Sequence, residues 1–189
     1  ARGQIFAIMG ETGAGKSALI RHMVGLEPPA EGEVFYQGVG FWSGSEESRE
    51  RLMRRFGVLF AGGALFSTKT LIENVAIGLR LHTALNRDDV VAVARLKLAL
   101  MGLLGYENHY PSEVDESRRT WAGFARATAL DPEILFLDEP AARLDPLGAR
   151  RVDEIIRWCR DDLGATVVLA SNDHETLFSL ADEAIFLDS

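Results

Sequence analysis

The sequence predicts an α/β fold, a mostly parallel sheet with helices on both faces and a small helical lobe. Three observations predict it. Short apolar, β-branched runs alternate with helix-like segments, the order expected when parallel strands are joined by crossover helices. The runs at 5–9 (IFAIM), 56–60 (FGVLF), 134–138 (ILFLD) and 165–170 (ATVVLA) are nearly continuous in apolar character, as strands covered on both faces require. A helix-only stretch between residues 70 and 130 interrupts that alternation. The 189 residues, 47% of them apolar, suffice for a single domain spanning 1–189 with the lobe at 67–130.

The first strand, Ile5 to Met9, runs directly into GETGAGKS, Gly10 to Ser17. This is the pattern G-x-x-x-x-G-K-[ST], a phosphate-binding loop between strand and helix. Gly10, Gly13 and Gly15 let the main chain curl so that its amides point inward, with Glu11, Thr12 and Ala14 contributing main-chain groups between them. The helix that follows, near 18–24, aims its positive end at the bound phosphates. Lys16 reaches the β- and γ-phosphates and the Ser17 hydroxyl ligates Mg²⁺.

After this helix, 27–33 is a turn, 34–36 a short strand and 37–40 another turn. Residues 46–55 form a polar helix whose Arg49, Arg51, Arg54 and Arg55 read as a solvated basic face. The strand 56–60 leads into a flexible connection, 61–66. Helices follow at 70–81 and 87–104; in the second, Val90, Val91, Ala94, Leu98 and Met101 fall near one face. His82 and His109, with no second ligand at metal spacing, read as polar surface residues. Asp115 caps a helix running to about residue 130, with Glu116 favourable in its first turn. A buried strand, 133–140, ends in Asp138 and Glu139. Helix 146–162, strand 165–170, helix 173–180 and strand 184–187 complete the chain.

Bulk properties narrow the function. No apolar run approaches the ~18 residues of a membrane span, and no signal peptide is visible, since Arg2 precedes a strand. The lone Cys159 excludes an internal disulfide, fits a reducing compartment and reads as a small buried thiol. A net charge of −8 argues against nucleic acid as a partner.

Asp138 and Glu139 end an apolar strand, and ligands of open α/β sheets sit at the carboxyl ends of strands. Both acids therefore belong beside Gly10–Ser17. Asp138 is placed to hold Mg²⁺ and Glu139 to take a proton from an attacking water.

GETGAGKS followed by ILFLDEPAARLDP (Ile134 to Pro146) resembles the nucleotide-binding subunit of ATP-binding-cassette (ABC) transporters, over nearly the whole chain. The segments Phe60 to Leu85 and Pro111 to Glu133 are similar to one subgroup, the ATPases of Mla/MCE-type phospholipid transporters. The resemblance implies a P-loop NTPase that binds ATP with Mg²⁺. It implies a second ATPase subunit closing over two nucleotides, and membrane permease subunits docked in a cleft between the lobes. It places the chain in the cytoplasm, peripheral to the inner membrane. It also implies an upstream piece carrying an adenine-stacking aromatic, so the chain is expected to be truncated at its start and its end.

Three departures from the family pattern stand out. The family's glutamine after the 56–60 strand is Ala61, which cannot ligate Mg²⁺ or orient water. Val114-Asp115-Glu116-Ser117 replaces the Leu-Ser-Gly-Gly signature, bringing carboxylates where the resemblance puts a partner's γ-phosphate. Two unit charges about 4 Å apart repel by roughly 4 kcal/mol at an effective dielectric near 20, which weakens the expected homodimer. The switch histidine is Asn172, a neutral and shorter catalytic group, with His174 two residues on. Losing one preorganised donor costs on the order of 10²–10³ in rate. The expectation is a chain that binds Mg-nucleotide and hydrolyses it slowly. Three alternatives stand beside the transporter ATPase: a hydrolysis-poor degenerate or redesigned cassette, a soluble cassette protein of DNA repair or translation, and a small-molecule P-loop kinase. The kinase class lacks the LDEP…LDP run.

Overall fold

The computed structural model describes residues 3–188, apart from the side chains of 174–176. The elements in order are β1 (Ile5–Gly10), α1 (Lys16–Met23), β2 (Phe35–Tyr36), β3 (Val39–Gly40), α2 (Glu46–Met53), β4 (Phe56–Leu59), α3 (Leu71–His82), α4 (Arg87–Leu100), α5 (Glu116–Ala127), β5 (Ile134–Asp138), α6 (Pro146–Asp161), β6 (Thr166–Ala170), α7 (His174–Leu180) and β7 (Glu183–Leu187). Five strands form one parallel sheet in the order β4-β5-β6-β1-β7, and β2 pairs antiparallel with β3.

Each face of the sheet has its own cover, which explains the continuous apolar runs. Ile8, Phe136, Val168 and Ala170 face α1, meeting Ile20 and Val24, with Tyr36 and Phe56 packed alongside. Ile5, Ala7, Leu135, Leu137, Val167 and Leu169 face the other way, onto α6 and α7 through Val152, Ile156, Cys159 and Leu177. That second cluster continues without a break through α5 into α3 and α4, where Leu71, Val75, Leu79, Val90, Ala94 and Leu98 are buried. Cys159 is fully buried, and burial pushes its thiol up to about 12. No helix among the described residues is long and apolar enough to cross a membrane.

Boundaries follow local chemistry. Thr70 and Glu73 form a capping box for α3, Asn86 caps α4 through the Asp88 and Asp89 amides, and Asp115 caps α5 by accepting from the Arg118 amide at 2.8 Å. Helix α4 stops at Leu100, four residues short of the periodic pattern, because Gly102 turns left-handed (φ 77°) and the Leu103 amide donates back to Leu98. Helix α5 ends at Ala127; there the Thr128 hydroxyl donates to the Phe124 carbonyl. The segment expected to be a flexible connection is ordered: Ala61–Gly63 form a 3-10 turn, and Arg126 donates to the Gly63 and Ala64 carbonyls, both at 2.9 Å. The arginines of the polar helix all have partners: Arg51 with Glu47, Arg54 with Glu50, Arg55 with Glu133, and Arg49 over the Trp42 ring. His109, read as a surface residue, is half-buried; its ring lies 5.2 Å from that of Tyr106 and its Nδ1 has no hydrogen-bond partner.

The small hairpin is held by one carboxylate. Glu33 accepts from the amides of Val34, Trp42 and Ser43 at 2.8–2.9 Å, and the Ser43 hydroxyl with these amides holds its carboxyl at about 2, well below the usual value. A depressed folded value stabilises above the unfolded carboxylate pKa and loses that contribution as pH falls toward 2. Glu33→Gln should therefore lower the denaturation midpoint at pH 7, and the gap to the parent should close as pH falls from about 4.5 to 2. A pH-independent gap in equilibrium unfolding would contradict this role.

Candidate functional site

Strand β1 ends at Gly10, with φ 151°, where a side-chain carbon would lie 2.7 Å from the Leu187 carbonyl oxygen of the adjacent β7. Only glycine fits so close to its neighbour. The loop turns through a bond from the Ala14 amide to the Glu11 carbonyl, and Gly15, left-handed at φ 93°, starts α1 at Lys16. The lysine and serine of the motif thus form the first turn of the helix itself, two residues earlier than the sequence suggested.

Lys16 is buried, with 5% exposure. Its ammonium donates to the Gly10 carbonyl at 2.9 Å, the Glu11 carbonyl at 3.0 Å and the Asn172 side-chain oxygen at 2.5 Å. Glu139 lies 3.7 Å away. The Ser17 hydroxyl donates to Asp138 at 2.8 Å. Two hard oxygens, one anionic and itself buried, are a donor set suited to Mg²⁺.

Parallel register brings these groups together. Asp138 pairs with Ala170, so β5 and β6 end in one row, while β1, paired with Ala170 at Ile8, runs two residues further into the loop. One residue beyond that row on β5, Glu139 turns left-handed (φ 49°), unusual for a residue with a side chain. Its amide donates to the Ala170 carbonyl and its carboxylate accepts from the Asn172 amide at 3.3 Å. Strain of this kind gathers at functional sites and persists where the surroundings over-determine it. Thr12, Gly13, Gly15, Lys16, Ser17, Glu139 and Asn172 line one cavity of about 280 Å³. A second cavity, of about 690 Å³, opens from Glu139 and Asn172 toward Arg150, Asp153 and Asp173.

Two of the three altered segments, at 61–63 and at the start of α5, lie side by side. Glu116 pairs with Arg119 at 2.5 Å and with Arg143 at 3.7 Å, and Asp115 pairs with Arg118. A side-chain carbon on Gly62 would lie 3.2 Å from the Glu116 carboxylate and 3.5 Å from the Arg143 guanidinium. The two acids are therefore not bare charges at the start of α5, and the repulsion expected from treating them so is offset by arginines of the same chain. Ala61 offers no polar side-chain atom. The side chain of His174 lies outside the described residues, as does Arg2.

The family described as "ABC transporter" matches residues 1–142. The chain belongs to this family. Relatives come from several transport systems. The "Probable ribonucleotide transport ATP-binding protein mkl" of Mycobacterium bovis is 34% identical over 90% of this cassette and 47% of that protein. The "Methionine import ATP-binding protein MetN" of Brucella abortus is 34% identical over 100% and 51%. The "Intermembrane phospholipid transport system ATP-binding protein MlaF" of Haemophilus influenzae is 33% identical over 98% and 70%. The cassette thus spans about half the length of the first two. Among solved structures, a dimeric bacterial ABC transporter cassette superposes with a TM-score of 0.89 at 25% identity, over 99% of this chain and 82% of that one. A dimeric ATP-binding cassette in a post-hydrolysis state with ADP and Pi gives the same score at 24% identity and attests the shared fold.

Of the residues named from the ABC pattern, Thr12, Gly13, Gly15, Lys16, Ser17, Glu139 and Asn172 line the first cavity, and Asp138 reaches it through its bond with Ser17. What the sequence did not show is the bridge that Asn172 makes. Its amide nitrogen donates to the Thr12 hydroxyl at 3.3 Å while its oxygen accepts from Lys16. The Glu116–Arg143 pair was equally hidden, because 27 residues separate its members and no local spacing links them.

Proposed function

We propose that this cassette is the ATP-binding subunit of a transporter, coupling nucleotide binding and hydrolysis to transport through separate permease subunits. The single observation that carries the reading is the convergence of Lys16, Ser17, Asp138 and Glu139 at one end of the sheet. Loop amides and Lys16 bind the phosphates, and Ser17 and Asp138 would hold Mg²⁺, which supplies charge neutralisation between phosphate oxygens. Glu139, whose carboxylate lines the cavity, orients and deprotonates water. A lipid-type cargo is supported by the Phe60 to Leu85 segment and by the extended match to the phospholipid relative. In this reading the cassette works in the cytoplasm against a membrane permease and pairs with a second ATPase subunit, the carboxylates of the altered signature, Asp115 and Glu116, being offset by Arg118, Arg119 and Arg143. With Ala61 in place of the family's glutamine and Asn172 in place of its histidine, hydrolysis by the isolated chain should run well below a typical turnover of about 10 per second.

Phosphate release tests the chemical part. Glu139→Gln should lower the rate by about a hundredfold or more, the usual contribution of a general base, with nucleotide affinity retained. An unchanged rate would remove Glu139 from the role.

A further inference from the structure

Arg126, near the end of α5, is half-buried, and burial lowers its guanidinium pKa with no carboxylate to offset it. A cation taken out of water normally holds an acid. This one holds main chain instead, donating to the Gly63 and Ala64 carbonyls, both at 2.9 Å. Gly62, Gly63 and Ala64 are consecutively left-handed, at φ 68°, 79° and 44°, a conformation that Ala64, with its side chain, adopts at a cost. The segment also lies flat on α5, since a side-chain carbon on Gly123 would lie 2.8 Å from the Gly63 Cα. On its far side Gly62 abuts the Glu116–Arg143 pair. Arg143 belongs to the turn that Glu139 opens, where the Ala142 amide donates back to the Glu139 carbonyl at 3.3 Å.

We propose that Arg126 is a positioning residue for Glu139, acting through the 62–64 segment and the Arg143 turn. On the reading of Glu139 as general base, Arg126 sets where that carboxylate sits without touching substrate. Its hydrogen bonds go to no residue that lines the nucleotide cavity, so an effect on chemistry must pass through the segment it holds. Position 61 carries no polar side chain, which leaves the Glu116–Arg143 pair as the polar link from that segment toward the site. Glu139 is itself left-handed, at φ 49°, and holds that conformation only under restraint. Strand β6 restrains it on one side through the Ala170 carbonyl and the Asn172 amide, and the Arg143 turn restrains it on the other. An arginine suits the task because its planar fork serves two neighbouring carbonyls at once, where a lysine offers a point charge.

Phosphate release and amide hydrogen exchange are measured on the full chain and on Arg126→Met, Arg126→Lys, Arg143→Ala and the Arg126→Met/Arg143→Ala double variant. Arg126→Met should lower kcat about fivefold, the scale of one net hydrogen bond, with KM held within twofold. Arg126→Lys should recover most of that loss. In Arg126→Met, exchange should quicken at 61–66 and also at 141–144. In the Arg143→Ala background the same substitution should change kcat by less than twofold, because the link is already cut. Arg126 and Arg143 share no partner, so independent effects would multiply. Effects that multiply, or faster exchange confined to 61–66, overturn the role. If Arg126→Met does not fold, Arg126→Gln, which keeps one donor group, replaces it in the same cycle. If the parent releases no phosphate, the general-base reading fails, and exchange at 141–144 still decides whether Arg126 positions the turn.

Discussion

Lys16→Ala is expected to weaken Mg-nucleotide binding about a hundredfold, from the loss of a charged donor whose hydrogen bonds contribute about 1.5–3 kcal/mol each. The side chain is almost fully enclosed and already oriented by the Gly10 and Glu11 carbonyls. A phosphate therefore meets an ammonium whose rotamer entropy has been lost on folding, and deletion removes a preorganised contact. The same substitution leaves two carbonyls and Asn172 short of a donor, so the melting temperature should also fall by a few degrees, as about 1 kcal/mol implies for a chain of this size. Calorimetric titration checks the binding part. An affinity within threefold of the parent would place the phosphates elsewhere.

Phe136→Ala should cost about 3–5 kcal/mol, the range for a buried aromatic reduced to alanine. Phe136 is fully buried at the centre of β5, two residues before Asp138, and meets Phe56 edge-on with centroids 5.3 Å apart. Its ring lies in the cluster that seats α1 against the sheet. A loss of this size is a large share of a typical domain's 5–15 kcal/mol. Phe136→Leu, which keeps most of the volume, should cost far less, about 1.5 kcal/mol. Equilibrium unfolding in denaturant distinguishes them. Equal, small losses would mean that the aromatic cluster does not anchor the helix.

Much of this was legible in the sequence for identifiable reasons. The strand runs at 5–9, 56–60, 134–138 and 165–170 each became a strand of the parallel sheet, because only buried parallel strands sustain apolar side chains on both faces. The phosphate loop was legible because glycine spacing encodes backbone conformation directly, as Gly10 and Gly15 show. Asp138 and Glu139 were placed by the rule that sites form at strand carboxyl ends. What was not legible came from contacts between distant segments. The ordering of Ala61–Gly63 depends on Arg126, 63 residues from Gly63, and glycine-rich sequence alone reads as slack. The compensation of Asp115 and Glu116 depends partly on Arg143, whose position is set by the turn after β5. Helix ends were misjudged where a local glycine or threonine outbid the apolar period, at Gly102 and Thr128.

The most direct measurement is a crystal structure of the chain with Mg-ADP. The account predicts a β-phosphate within hydrogen-bond distance of Lys16 and of the Gly13–Ser17 amides, with the metal between Ser17 and Asp138. Nucleotide bound away from that loop, such as in the cavity toward Arg150 and Asp153, would contradict it.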